Sequence, residues 1–137
     1  MRRIIILEGI SGAGKSTLVH PISALSNFAD PIMHRWTPSC WVYNLLYNRP
    51  RVDYEPMNRK LQLIADVWVI WLRCAPELAY ERQRAKGDPL TEDLEAASEF
   101  FDWYFHTETS FGQVYTLDTG VKAPEECVTE LRERLYP

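Results

Sequence analysis

A glycine-rich segment near the start of the chain constrains the fold more than any other feature. Residues 9–16 read GISGAGKS and fit the pattern G-x-x-x-x-G-K-[ST] without a mismatch. They follow the apolar run at 3–7 and precede residues 15–26, where Leu18, Ile22 and Leu25 recur at helical spacing. Strand, glycine-rich turn and helix in this order let backbone N–H groups surround phosphate oxygens. The segment therefore predicts a binding site for a nucleoside triphosphate.

Each residue type in this loop has a part in holding the phosphates. The glycines let the backbone turn inward, and the helix that begins at Lys15 directs its positive dipole end to the anion. Lys15 is expected to reach the β- and γ-phosphates, and the Ser16 hydroxyl to bind Mg²⁺. The predicted nucleotide-binding residues of the loop are Gly9, Ser11, Gly12, Ala13, Gly14, Lys15, Ser16 and Thr17.

Beyond the loop, strand patterns alternate with helix patterns. Strands are predicted at 3–7, 28–33, 67–72 and 113–117, and helices at 15–26, 39–47, 57–65, 76–86, 91–105 and from 124 onwards. Pro31 lacks an N–H, so the second strand is predicted at a sheet edge. The pattern predicts an α/β fold of the P-loop NTPase type, a three-layer αβα sandwich on a parallel sheet of about four strands. A single P-loop domain is expected over residues 1–137.

Composition excludes several classes of protein. The chain has 137 residues, 46% of them hydrophobic, and its longest apolar run is the six residues 67–72, too short for a membrane span. The apolar run at the N-terminus is too short for a secretory signal. Three cysteines without a paired spacing favour a reducing, cytoplasmic setting. Residues 1–90 carry a charge balance of +4 and residues 91–137 one of −8, so a local anion pocket is favoured over a broad nucleic-acid surface.

Three segments resemble the thymidylate kinase family and its nucleoside and nucleotide kinase relatives. Residues 8–17 (EGISGAGKST) resemble the family's E-G-x-D-G-A-G-K-[ST]-T. Residues 34–44 (HRWTPSCWVYN) resemble D-R-Y-x-x-S followed by Y-Q, and residues 79–87 (AYERQRAKG) resemble the helix and lid A-L-E-R-x-x-x-R-G. The resemblance extends over most of the chain, but only its first segment is highly specific. It implies an ATP- and Mg²⁺-dependent kinase with a small-molecule nucleoside or nucleotide acceptor, and it leaves a homodimer open.

The same resemblance implies roles for the matched positions. On the donor side, Arg82 would lie against the adenine, and Arg84 and Lys86 would belong to a basic lid at about 82–92. Asp118 and Thr119 would border the base, or they would form a plain turn. On the acceptor side, Arg35 would contact the acceptor or the transferred phosphate. The acceptor-binding residues would be Trp36, Tyr43 and Asn44, and the catalytic residues Lys15, Arg35, His34, Arg82 and Arg84.

Departures from the family pattern concentrate on the acceptor side. The strand and helix that supply an arginine for the acceptor's phosphate are absent, and Ser11 and His34 stand where the family has aspartates. A neutral His34 would serve as a general base, or it would be a packed core histidine. Glu8 would hold a Mg²⁺-bound water, or it would be a partner of a helix dipole. Trp36 and Trp41 would stack on a nucleobase, or they would form a local aromatic cluster.

Three functional hypotheses follow. The first is a kinase for a pyrimidine nucleoside or nucleotide. The second is a kinase for a hydroxyl in DNA, on a modified base such as a hydroxymethyl-pyrimidine or at an end; the net charge of −4 counts against it. The third is a nucleotide-binding regulatory module without transfer activity, which is favoured by the lack of an acidic residue at the end of the central strand.

Overall fold

The computed structural model describes residues 1–89 and 92–137. Its elements are β1 Arg3–Glu8, α1 Lys15–Leu25, β2 Ile32–His34, α2 Thr37–Leu46, α3 Glu55–Ile64, β3 Asp66–Arg73, α4 Pro76–Lys86, α5 Leu94–Trp103, a π-helical turn Tyr104–Glu108, β4 Val114–Asp118 and α6 Pro124–Leu135. Leu90 and Thr91, which belong to the predicted lid and to the predicted start of α5, lie outside the described residues. Within the described part of the chain, no helix combines the length and apolarity that crossing a bilayer requires.

The four strands form one parallel sheet in the order β2-β1-β3-β4. The inner strands β1 and β3 are continuous apolar runs, as expected for strands buried on both faces. Leu7 pairs with His34 on one side and with Ile70 on the other. The α/β prediction is confirmed, because a parallel four-stranded sheet is flanked by helices.

The edge strand β2 is shorter than predicted. It lies at the edge of the sheet, as Pro31 indicated, but it begins only at Ile32. The predicted start at residue 28 is wrong because Asn27 and Phe28 have φ values of 57° and 63°. Backbone in this left-handed region cannot continue as a strand, so the chain turns before β2 begins.

Packing of the helices directs the functional loops to one edge of the sheet. Helix α1 packs with α6, and α2 packs with α5 and the π-helical turn. Completely buried side chains such as Ile5, Leu7 and Ile70 join the sheet to these helices. A smaller cluster with Ile6 and Val69 lies apart from this core. Because all strands are parallel, their carboxyl ends meet at one edge, where a ligand is expected to bind.

Candidate active site

The glycine-rich loop joins β1 to α1 and packs tightly against its neighbours. Gly9 and Gly12 have φ values of 143° and 84°, which a residue with a side chain rarely adopts. A Cβ atom on Gly12 would lie 2.6 Å from the carbonyl oxygen of Ala79 in α4, and one on Gly9 would overlap the carbonyl of Leu72. Glycine is therefore required at both positions for conformation and for space.

The side chain of Lys15 is folded back onto this loop. It is 4% exposed, and its Nζ donates to the carbonyl oxygens of Gly9 at 2.7 Å and Ile10 at 2.6 Å. Burial, with a further contribution from the neighbouring Arg35 charge, lowers the pKa of Lys15 to about 7. The loop thus holds a lysine whose charge is only partly formed near neutral pH.

Arg35 connects the loop to helix α2. Its φ of 75° is unusual for a residue with a side chain, and its backbone N–H donates to the carbonyl of Leu7 at 3.0 Å. The guanidinium donates to Gly9 O at 3.1 Å, to Ser39 Oγ at 2.9 Å and to Ser11 Oγ at 3.3 Å. Arg35 therefore lies between the glycine-rich loop and the helix that follows β2.

Glu8 is completely buried at the end of β1, and its carboxylate caps the N-terminus of α2. The carboxylate accepts from the backbone N–H groups of Trp36 at 2.8 Å and Ser39 at 3.0 Å, and also from Ser39 Oγ. Burial raises the pKa of Glu8, and the hydrogen bonds from Ser39 and Trp36 oppose this shift. Of the two roles expected for Glu8, the geometry favours the partner of a helix terminus over the magnesium site.

Three cavities adjoin around the loop. The first, called the apolar cavity, has a volume of about 430 Å³ and lies between the loop, α4 and the start of α6. It is lined by Gly12, Ala13, Gly14, Thr17, Leu18, Arg82, Ala85, Lys86, Thr119, Lys122, Pro124 and Cys127. Its size and its mostly apolar walls suit a flat organic ring.

The second, called the polar cavity, has a volume of about 320 Å³ and lies directly over the loop. It is lined by Ser11, Gly12, Gly14, Lys15, Ser16, His34, Arg35, Arg82, Gln83, Lys86 and Asp88. Four of these residues are lysine or arginine and one is an aspartate, so the cavity favours an anion. Partial burial lowers the pKa of His34, and the charges of Lys15 and Arg35 add to this effect, so its imidazole is neutral at pH 7.

The third, called the α2 cavity, has a volume of about 620 Å³ and opens beside helix α2. It is lined by Ser11, Arg35, Trp36, Thr37, Ser39, Cys40, Tyr43, Tyr47, Arg49, Tyr54, Met57 and Glu92. Tyr43 donates its hydroxyl to the Glu92 carboxylate at 3.0 Å, and Tyr80 holds the Glu92 carbonyl at 3.1 Å. Burial raises the pKa of Tyr43 to about 12, so this hydroxyl keeps its proton.

Two of the residues predicted on the acceptor side lie elsewhere. Asn44 does not line the α2 cavity; it donates to the Tyr54 hydroxyl at 2.9 Å, and Tyr54 lines the cavity instead. Trp41 is also absent from this wall and packs against Tyr104 with ring centroids 5.3 Å apart. Trp36 does line the cavity. The aromatic cluster is therefore the better interpretation for Trp41, while Trp36 keeps the expected position.

Of the predicted donor-side residues, some line the cavities and others do not. Arg82 donates to Gly12 O at 3.2 Å and to Thr119 O at 2.6 Å, which joins the loop to the chain after β4. Lys86 lines both the apolar and the polar cavity, whereas Arg84 is exposed and lines neither. Asp118 is exposed, and its carboxylate accepts from Gly120 N–H in a turn. Thr119, and not Asp118, faces the apolar cavity.

Ser39 and Glu92 were not assigned roles from the sequence. Ser39 is 5% exposed and lies within the first turn of α2, where a hydroxyl after Pro38 is a weak signal for a contact with the helix terminus. Glu92 belongs to a charged stretch in which no pattern distinguishes it from its neighbours. Tertiary packing alone brings it to the α2 cavity.

A magnesium site was expected at Ser16 and Glu8. The Ser16 side chain is exposed in the first turn of α1 and lines the polar cavity, so its hydroxyl fits as one oxygen ligand. Among residues 1–89 and 92–137, no three histidine, cysteine, aspartate or glutamate side chains cluster as a metal site. The residues therefore fit a cation that is bound mainly by a ligand's phosphates.

Comparisons with known proteins identify similar structures but no similar sequence family. The chain matches no protein-family model, and no curated protein matches it. The YorR protein from Bacillus subtilis, solved in complex with phosphorylated GDP, is 21% identical with a TM-score of 0.68, covering 98% of this chain and 99% of that one. Deoxyadenosine kinase from M. mycoides with bound dATP is 16% identical with a TM-score of 0.69, covering 98% and 100%. The chain shares the fold of these two proteins, and in this chain it consists of a parallel four-stranded sheet flanked by helices.

Proposed function

We propose that the protein is an ATP- and Mg²⁺-dependent phosphotransferase that moves the γ-phosphoryl group of ATP to a pyrimidine nucleoside or nucleotide acceptor. The way in which the three cavities adjoin carries this proposal. The apolar and polar cavities share Gly12, Gly14, Arg82 and Lys86, and the polar and α2 cavities share Ser11 and Arg35. Ligands in the two outer cavities would meet over the polar one, which is the arrangement that direct transfer requires.

ATP fits the apolar and polar cavities together. Its base would lie in the apolar cavity, with Leu18 and Pro124 in the wall and Arg82 across the end. Its phosphates would lie over the loop, at the N-terminus of α1. Lys15 would then exchange the carbonyl oxygens of Gly9 and Ile10 for phosphate oxygens. This exchange satisfies the buried ammonium group better than two neutral carbonyls do.

The α2 cavity would hold the acceptor. Trp36 and Tyr43 provide aromatic surface for a base. The Tyr43 hydroxyl and the Glu92 carboxylate form a donor and acceptor pair that suits a sugar hydroxyl. The preference for a pyrimidine depends on the sequence resemblance, and the cavity volume of about 620 Å³ admits either class of base.

The transfer step needs only groups that line the polar cavity. The acceptor oxygen forms a bond to the γ-phosphorus while the bond from that phosphorus to the β,γ-bridging oxygen breaks, and its electron pair leaves with ADP. Where the acceptor is a nucleoside, its hydroxyl proton passes to the neutral imidazole of His34; the phosphate oxygen of a monophosphate acceptor has no proton to transfer. Lys15 and Arg35 stabilise the charge on the phosphoryl oxygens. Mg²⁺ bound at Ser16 would neutralise charge on the β- and γ-phosphates.

A transfer assay with γ-labelled ATP and Mg²⁺ tests the proposal. The acceptor panel contains pyrimidine nucleosides, their monophosphates, deoxyadenosine and DNA that carries hydroxymethyl-pyrimidines. Label on a free pyrimidine nucleoside or monophosphate, lost in Lys15→Ala and kept in the exposed-lysine control Lys60→Ala, supports it. Label on the DNA alone favours the DNA kinase, and label on deoxyadenosine alone contradicts the pyrimidine preference. ATP binding without any transfer favours the regulatory module and contradicts the proposal.

A further inference from the structure

A chain of hydrogen bonds runs from the buried carboxylate of Glu8 to the guanidinium of Arg35. Ser39 Oγ donates its proton to Glu8 Oε1 and accepts from Arg35 Nη1 at 2.9 Å. A serine hydroxyl has a single proton, and giving that proton to Glu8 leaves the oxygen free to accept from a cation. The carboxylate therefore fixes the direction in which Ser39 faces Arg35.

Arg35 needs such a partner because its position is costly. Its φ of 75° lies in the left-handed region, where a side chain is strained. Its guanidinium also lies beside Lys15, because both side chains donate to Gly9 O. The repulsion between these like charges would displace the guanidinium if its acceptors did not hold it. Of its two side-chain acceptors, Ser39 is buried and Ser11 is only half-buried.

We infer that Glu8 and Ser39 are positioning residues that hold the Arg35 guanidinium where the polar and α2 cavities meet. This inference rests on the proposed function, since Arg35 acts there on the transferred phosphoryl group. Glu8 lines none of the three cavities, and Ser39 lines the α2 cavity but not the polar one, so neither residue faces the transferred phosphoryl group directly. They differ in this from Lys15 and His34, which face the cavity directly.

The contacts around Glu8 allow its positioning role to be tested apart from its role in capping α2. Two backbone N–H groups of α2, those of Trp36 and Ser39, still bind the carboxylate when the Ser39 hydroxyl is removed. Ser39→Ala therefore keeps both backbone hydrogen bonds that cap α2 and removes the hydroxyl that joins Glu8 Oε1 to Arg35. Ser39→Thr keeps the hydroxyl and should restore the link.

A double-mutant cycle tests the inference. The wild type, Ser39→Ala, Arg35→Ala and the double variant are compared in kcat, acceptor KM and ATP affinity. Ser39→Ala should lower kcat roughly ten- to a hundredfold with an unchanged ATP affinity, and Ser39→Thr should recover most of the loss. In the Arg35→Ala background the same substitution should have no further effect. Equal losses in both backgrounds would overturn the inference. Ser23→Ala, which removes a helical hydroxyl bonded to Val19 O, is the matched control.

Glu8→Gln provides a second variant, because a glutamine side chain has nearly the same shape as the glutamate it replaces. A carboxamide has only one acceptor oxygen, and its NH₂ group donates to Ser39 Oγ. Ser39 Oγ would then have to accept hydrogen bonds both from this carboxamide and from Arg35. Its own hydroxyl proton would no longer have the carboxylate as acceptor. Glu8→Gln should therefore reproduce the kcat loss of Ser39→Ala. Wild-type kcat in Glu8→Gln would contradict the part that Glu8 is given.

A readout without turnover separates this inference from the proposed function. In ¹⁵N spectra of arginine side chains, a guanidinium held by hydrogen bonds rotates slowly and shows separate Nη signals. The Arg35 signals, identified by their absence in Arg35→Ala, should collapse in Ser39→Ala and persist in Ser23→Ala. If the wild-type protein transfers no phosphate to any acceptor, the proposed function is contradicted and the positioning role is not. If the separate signals persist in Ser39→Ala, the positioning role is contradicted.

Discussion

Lys15 and Arg35 donate to the same backbone oxygen. The carbonyl of Gly9 lies 2.7 Å from Lys15 Nζ and 3.1 Å from the Arg35 guanidinium. Two cations thus share one neutral acceptor in a buried loop, and the repulsion between them adds to burial in lowering the pKa of Lys15 to about 7. A bound triphosphate would supply negative charge to both. Nucleotide binding is therefore expected to change the protonation of Lys15.

Nucleotide binding should take up a proton above neutral pH. At about pH 8.5 the free protein holds Lys15 mostly neutral, while ATP is fully ionised and returns the lysine towards its ordinary pKa of about 10.4. Calorimetric titration with ATP in two buffers of different ionisation enthalpy should show an uptake of about one proton. The uptake should be smaller in Arg35→Ala, because the pKa of Lys15 in the free protein is then less depressed. Equal heats in both buffers would refute this coupling.

His34 should set the acid limb of the pH profile. Burial and the charges of Lys15 and Arg35 lower its pKa below the ordinary value, so the imidazole is neutral at pH 7. As a general base it would lose activity when protonated, so kcat/KM, which reports the groups of the free protein, should fall on the acid side of neutrality. His34→Asn should lower kcat about 10²- to 10⁴-fold and remove this acid limb. His20→Asn, an exposed histidine on α1, is the control. An unchanged acid limb in His34→Asn would assign the limb to another group.

Local patterns were sufficient to predict the sheet and the loop. Apolar runs at 3–7 and 67–72 predicted the two inner strands, because burial on both faces requires apolar side chains at successive positions. Pro31 predicted the edge position of β2, because a missing N–H is tolerated only there. The loop residues needed no tertiary information, since backbone N–H groups and the start of a helix create the anion site by themselves.

The acceptor side was harder to predict because distant residues create it. Glu8 and Ser39 are 31 positions apart, and only the packing of α2 against β1 brings them together. Glu92 reaches Tyr43 from 49 positions away. Periodicity detects which face of a helix is buried, and it does not show which polar group meets another. The sequence therefore allows two roles for Glu8, and its three hydrogen-bond donors favour the partner of a helix terminus.

Substitution of two loop glycines by alanine should separate strain from a steric clash. Gly12 and Gly14 have φ values of 84° and 103°, so alanine is strained at either position by about 1–2 kcal/mol. A Cβ on Gly14 meets no atom within 4 Å, whereas one on Gly12 would lie 2.6 Å from Ala79 O. In urea unfolding, Gly12→Ala should therefore lose more stability than Gly14→Ala, by a further ~1–3 kcal/mol. Equal losses would show that α4 moves away without cost.

Arg82 and Arg84 should differ in their effect on nucleotide binding, although the sequence resemblance assigns both to the catalytic residues. Arg82 donates to the carbonyl oxygens of Gly12 and Thr119 and so holds the two sides of the apolar cavity together. Arg84 is exposed, and the loss of a solvated charge changes little.

The measurement is the dissociation constant of ATP by calorimetry for each arginine variant. Arg82→Ala should weaken binding roughly ten- to a hundredfold, since hydrogen bonds from a charged group contribute about 1.5–3 kcal/mol. Arg84→Ala should weaken it less than about fivefold. Arg132→Ala, an exposed arginine on α6, measures the effect of lowering the net charge. If Arg84→Ala weakened binding as much as Arg82→Ala, the charge of the lid and not the bridge between Gly12 and Thr119 would hold the nucleotide.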